Sequence, residues 1–181
     1  MKEIKTTTSV QYDECITPCR DIFLKKNRDY GSAWRILRLS SLVDQIYIKA
    51  KRLKSIEEKG EQKVEDDIKL EYVGMINYCV MALIQMEIGP AEEYQMDESI
   101  LVQKYDKEIQ VTKDLMLAKN HDYGEAWREM KVSTFTDLIL MKLLRIRQIE
   151  ENKGKTIISE GIDANFRDII NYSVFALIRL N

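Results

Sequence analysis

The sequence predicts an all-α protein built from two copies of one three-helix unit, arranged as a bundle with a pseudo-twofold. Three observations carry that prediction. The ten-residue string KNRDYGSAWR at residues 26–35 returns as KNHDYGEAWR at 119–128. The period-two alternation of a half-buried strand persists nowhere in the chain. Helix-start signals of the [ST]-x-x-[DE] form occur at matching places in the two halves, in SSLVD (residues 40–44) and STFTD (133–137).

The repeat has a register. Set 93 residues apart, Tyr12 falls on Tyr105, Asp29 on Asp122, Trp34 on Trp127, Asp44 on Asp137, Lys49 on Lys142 and Arg52 on Arg145. One inserted residue near Glu57 shifts the register to 94, so that Gly60 meets Gly154 and INYCVMALI (76–84) meets INYSVFALI (170–178). The halves are residues 8–88 and 99–181, joined by a linker at 89–98 that opens on the breaker pair Gly89-Pro90. A period this long exceeds a solenoid unit and fits two copies of a small domain. One three-helix unit buries little by itself, whereas two share a core like a fused homodimer, an arrangement in which sites tend to lie between the halves.

The elements follow in order. The first helix is expected from Thr17-Pro18, as N-cap and first helical residue, to Lys26; its counterpart runs from an N-cap at Ser99 to Lys119. Each ends at DYG, where Gly31 and Gly124 supply a positive φ. Asp29 and Asp122 are placed to bond nearby backbone amides, and Trp34 and Trp127 to pack under the second helix. That helix starts at the capping motif, with Asp44 or Asp137 near its N-terminus, and runs to about Glu58 or Glu151. The third spans about Glu65 to Glu87 and Ser159 to the C-terminus, and its apolar density marks it as central and buried.

Composition narrows the function. Of 181 residues 45% are hydrophobic and 32% charged, enough for a packed core. Lys plus Arg number 28 against 30 Asp plus Glu, a net charge of -2, which lacks the basic footprint of a dedicated nucleic-acid binder. Cys15, Cys19 and Cys79 form no CxxC pair, and His121 is the single histidine, which argues against structural zinc. A polar start and the absence of a long apolar run predict a soluble, cytoplasmic protein without a membrane partner.

The polar positions present in both halves are the candidates for a site. Asp29, Tyr30, Asp122 and Tyr123 either shape the corner or present a carboxylate and a ring to a ligand. Lys49 with Arg52, and Lys142 with Arg145, are three apart and share a helical face, an arrangement that suits phosphate oxygens. On the third helix of the second half, Asp168 shares a face with Asn171 and Tyr172; its first-half equivalent is Gly74, with Glu71 one turn earlier. Glu160, two turns before Asp168, matches Asp66. Carboxylates projecting from bundle helices can hold Mg²⁺, whereas Asn77 and Asn171 read equally as satisfied core groups. No Ser-His-Asp or Cys-His arrangement and no Gly-rich phosphate loop is present, so no catalytic residue is assigned.

KNHDYGEAW, the Asp–Lys–Arg helix and EG…DIINY together resemble the nucleotide modification associated domain family of phages and bacteria, once per half. That family is more remotely similar to the all-α NTP pyrophosphohydrolases of the MazG type. The resemblance implies Mg²⁺ on Asp66, Glu71, Glu160 and Asp168. It also implies phosphate binding by Lys49, Arg52, Lys142 and Arg145, with Tyr30 and Tyr123 bounding a base pocket. The E-x-x-E pair of the pyrophosphohydrolases is absent from the second helices, where the carboxylate is single. Two functions follow: a Mg²⁺-dependent (pyro)phosphohydrolase linked to nucleotide or DNA-base modification, or a non-catalytic module that binds a nucleotide or a partner.

Overall fold

The computed structural model describes residues 7–61, 67–93 and 95–181. They form α1 (Thr8–Tyr30), α2 (Leu39–Lys59), α3 (Ile68–Ile88), α4 (Glu98–Tyr123), α5 (Val132–Glu151) and α6 (Ile162–Leu180). Short 3-10 turns at Ala33–Ile36 and Ala126–Glu129 carry the repeated Ala-Trp-Arg, and no strand occurs among the described residues.

Helical spacing decides which face each element buries. In α1 the buried residues include Tyr12, Ile16, Cys19 and Phe23, a stripe at intervals of three and four. In α3 and α6 burial extends around most of the helix, from Tyr72 to Gln85 and from Asn165 to Leu177, as their apolar density predicts. These two helices pack on each other in the middle. The pair α2 and α5 covers one side, and α1 with α4 covers the other.

The pseudo-twofold is written in matched contacts. Tyr12 donates to Asn171 Oδ1 at 2.9 Å, and Tyr105 donates to Asn77 Oδ1 at 2.8 Å. Each asparagine amide then donates to a backbone carbonyl in its own half, Cys19 at 3.0 Å and Thr112 at 3.2 Å. Both asparagines are therefore satisfied core groups that bind the halves together. At the surface Arg20–Asp106 and Lys113–Asp13, each 2.7 Å, are repeat mates, as are Lys54–Asp137 at 3.0 Å and Arg147–Asp44 at 2.8 Å. The symmetry breaks at the buried pair Arg167–Glu108, 2.7 Å, whose first-half equivalents are Val73 and Cys15.

Several boundaries differ from the sequence reading. Helix α1 begins at Thr8, capped by Thr7, and runs through Pro18, which stands on the exposed face. The buried stripe from Tyr12 onward outweighs the one backbone bond that proline cannot make. Helix α4 is capped by Asp97, whose Oδ1 accepts from Ser99 N at 2.8 Å, so Ser99 lies inside the first turn. Helices α2 and α5 start at Leu39 and Val132 after Arg38 and Lys131, neither of which makes a side-chain cap. Asp44 and Asp137 thus sit beyond the first turn, where they reach across to Arg147 and Lys54 instead of capping.

The three cysteines are buried and free. Burial pushes the thiol of Cys15 up to about 11 and that of Cys19 to about 12, so both are neutral at physiological pH. Among the described residues no helix is long and apolar enough to cross a membrane.

Candidate functional site

The first corner is built to hold α1 and α2 apart. Gly31 takes φ +65° and donates its N–H to Asn27 O at 2.7 Å, closing α1. The side chain of Asn27 accepts from Ser32 Oγ at 2.6 Å. Gln85, near the end of α3, donates its amide to the carbonyls of Arg35 and Leu37 at 2.9 and 2.8 Å. Arg35 in turn donates to Gly89 O at 2.7 Å. The corner is thereby pinned to the C-terminal end of α3, and a cavity of about 710 Å³ remains between α1, the corner, α2 and α3. That volume lies in the range of small-molecule sites.

Its wall is divided by chemistry. Ile22, Phe23, Val73 and Met81 are apolar; Tyr30, Trp34 and Tyr78 contribute aromatic rings; Lys26, Lys49, Asn27 and Glu71 are polar. Gly74 lies on the α3 side, where an added Cβ would come within 2.6 Å of Lys49 Cε, so the lysine stem lies directly over the glycine. Glu71 is buried and engages Arg52 through Oε1 and Lys49 through Oε2, the latter at 3.4 Å. Among the described residues Lys26 makes no ion pair. Burial raises the Tyr78 phenol, with a smaller contribution from Tyr30, which keeps it a neutral donor.

The second half places its carboxylate differently. Asp168, 5% exposed, bridges Lys119 at 2.8 Å and Lys142 at 2.7 Å. Burial works against the Lys119 ammonium, but the bond to Asp168 and that carboxylate's charge outweigh it and raise the lysine. A second cavity, of about 840 Å³, is lined by Lys142. It is bounded by Arg145, Gln148, Glu160, Asn165 and the exposed Ile157 and Ile158.

The structure gathers some of the predicted site residues and separates others. Tyr30 and Lys49 line the first cavity, Lys142 and Arg145 the second, and Arg52 holds Glu71. Asp29 and Asp122 are exposed and line neither cavity; no backbone amide bond to either is formed among the described residues, because Asn27 and the glycine N–H groups close the turns. Asp122 instead lies 3.2 Å from the exposed His121. Tyr123, 75% exposed, also lines neither cavity. Trp127 stacks on Phe175 of α6 at 4.2 Å, and Trp34 lies against Phe23 of α1. Lys26, Lys119 and Asn27 were missed, although the K-N pair opens both copies of the repeated string.

Asp66 lies outside the described residues. Of the other carboxylates expected to hold Mg²⁺, Asp168 and Glu160 both act on Lys119. Glu71 and Asp168 belong to different halves, each with both oxygens engaged by cations, and Glu160 is exposed on the loop before α6. No group of three His, Cys, Asp or Glu residues with metal-site geometry occurs among the described residues. The donor set seen here is that of neutralised carboxylates, which does not fit a Mg²⁺ site without displacing lysine or arginine.

Fold and cavities define a duplicated all-α protein in which these two ligand-sized clefts lie each within one half, not between the halves as the duplication suggests. The chain belongs to the nucleotide modification associated domain 1 family, whose model matches it twice, at residues 26–86 and 119–180. No curated protein and no solved structure matches the chain.

Proposed function

We propose that the first-half cavity binds a nucleotide or modified nucleotide, and that the protein acts as a binding module in nucleotide or DNA-base modification. The observation that carries this reading is the joining of two lysines and four aromatic residues in one cleft. Lys26 and Lys49 supply point charges for phosphate oxygens. Tyr30, 60% exposed, stands at the cavity margin and offers a ring face to a base, a contact worth about 1–3 kcal/mol where bases stack on aromatic side chains. Trp34 adds a buried indole N–H that has no partner among the described residues. Trp127 shares that feature but lines neither cavity. The family description supports a nucleotide context. The engagement of Glu71 and Asp168 by cations favours binding over hydrolysis.

The test is calorimetric titration with nucleoside mono- and triphosphates, with and without Mg²⁺. Binding that does not require the metal, weakened at least about tenfold by Lys49→Ala, is expected; tenfold corresponds to about 1.4 kcal/mol. Failure of every nucleotide to bind overturns the reading. Release of phosphate or pyrophosphate only when Mg²⁺ is added would replace it with hydrolysis.

A further inference from the structure

We propose that the Asp168 carboxylate occupies, in the second half, the position that a ligand's anionic group takes in the first: between the two lysines, above residue 74. The repeat register carries the argument. Lys119 and Lys142 are the mates of Lys26 and Lys49, and Asp168 is the mate of Gly74. In the second half the carboxylate closes the lysine pair at 2.8 and 2.7 Å. In the first half the same two lysines line an open cavity at a residue with no side chain, and the Lys49 stem lies over Gly74 in the place a side chain would take. Glu71, one turn earlier than Gly74, does not substitute for Asp168. It is drawn to Arg52, reaches Lys49 only at 3.4 Å, and forms no ion pair with Lys26 among the described residues.

The second half therefore contains an internal image of the ligand: a compact oxyanion, of the phosphate class, held by two ammonium groups. It also follows that only the first half is open to that ligand. The second is closed by its own side chain, and the protein takes one anion per chain. This assignment rests on the nucleotide reading for the identity of the ligand, but not for the position of the anion.

Calorimetry with inorganic pyrophosphate as the probe tests it. Wild type is expected to bind one equivalent, Asp168→Ala two, and Gly74→Asp none, since the flexible end of Lys49 swings off the added Cβ and the introduced carboxylate closes the first lysine pair as Asp168 closes the second. In thermal denaturation Asp168→Ala should melt below wild type and recover further on adding pyrophosphate, because Lys142, only 9% exposed, has lost its carboxylate. A folded Asp168→Ala protein that gains no equivalent overturns the inference. So does a Gly74→Asp protein that binds as wild type does, and this second variant decides the matter if Asp168→Ala fails to fold. Pyrophosphate bound by Asp168→Ala alone, with nothing bound by wild type, also overturns the inference, because the open first-half pair then takes no anion. One equivalent of pyrophosphate bound by wild type, with no nucleoside phosphate bound, would uphold the anion position and sink the nucleotide reading.

Discussion

Lys119 shows how a single charge is set by its surroundings. Desolvation lowers its pKa, and the bond to Asp168 together with the charges of Asp168 and Glu160 raises it by more, so the folded state holds the proton more tightly than the unfolded chain. The sign of the pH dependence follows. The stabilisation is complete below the unfolded lysine value of about 10.4 and is lost as pH rises through the higher folded value. Lys119→Met should therefore melt below wild type throughout the neutral range, with the difference closing above about pH 10.5. Thermal melts of both proteins across that range check this, and a gap that widens with alkali would contradict it. Lys26, the mate of Lys119, shows no such pairing because Gly74 offers it no carboxylate.

The two corners show that one string of residues takes two backbone paths. In the second, Gly124 and Glu125 both adopt left-handed conformations, with φ +59° for each. In the first, Gly31 combines φ +65° with ψ -164°, a region open almost only to glycine, and Ser32 returns to negative φ. The residue after the glycine follows the difference. Ser32 turns inward to Asn27, whereas Glu125 reaches Thr8 and Arg128. Both corners are then clamped from the third helix of their half, Gln85 in one and Arg179 in the other, on the carbonyls of Arg35 and Leu37 or of Arg128 and Met130. Alanine at Gly124 meets no atom within 4 Å, so its cost is backbone alone, about 1–2 kcal/mol. Alanine at Gly31 should cost more, since its Cβ also meets Gln95 at 3.1 Å. Urea midpoints of the two variants rank them, and equal midpoints would show that the difference in path carries no energy.

Across the whole molecule, the halves are joined by buried hydrogen bonds and by apolar packing. Tyr12 and Tyr105 each reach an asparagine of the other half, and α3 packs along α6. Such an arrangement leaves neither half a complete core and predicts one cooperative unfolding transition. Tyr105→Phe leaves Asn77 Oδ1 buried without that donor, a loss of about 1–3 kcal/mol, and Tyr12→Phe does the same at Asn171. Circular dichroism during urea unfolding should show a single transition, displaced by either variant. Two separable transitions, one per half, would mean that the halves fold independently.

The amino-acid sequence by itself determined the all-α class, the duplication, the central place of the third helices and the positive φ at Gly31 and Gly124. These depend on spacing along the chain and on the stereochemistry of single residues, both legible in one dimension. The start of α1 was legible too, in the stripe from Tyr12 to Phe23 and in the pairing of Tyr12 with Tyr105, but Pro18 masked it. Only the tertiary structure decided which cation each carboxylate meets. Asp44 and Asp137 read as caps and became interhelical partners. Glu71 and Asp168 read as metal ligands, and each is held by two cations. The reason is physical. Ion pairs form over about 3 Å between different helices, and a shift of one helical turn, from residue 74 to residue 71, changes which cations the carboxylate meets.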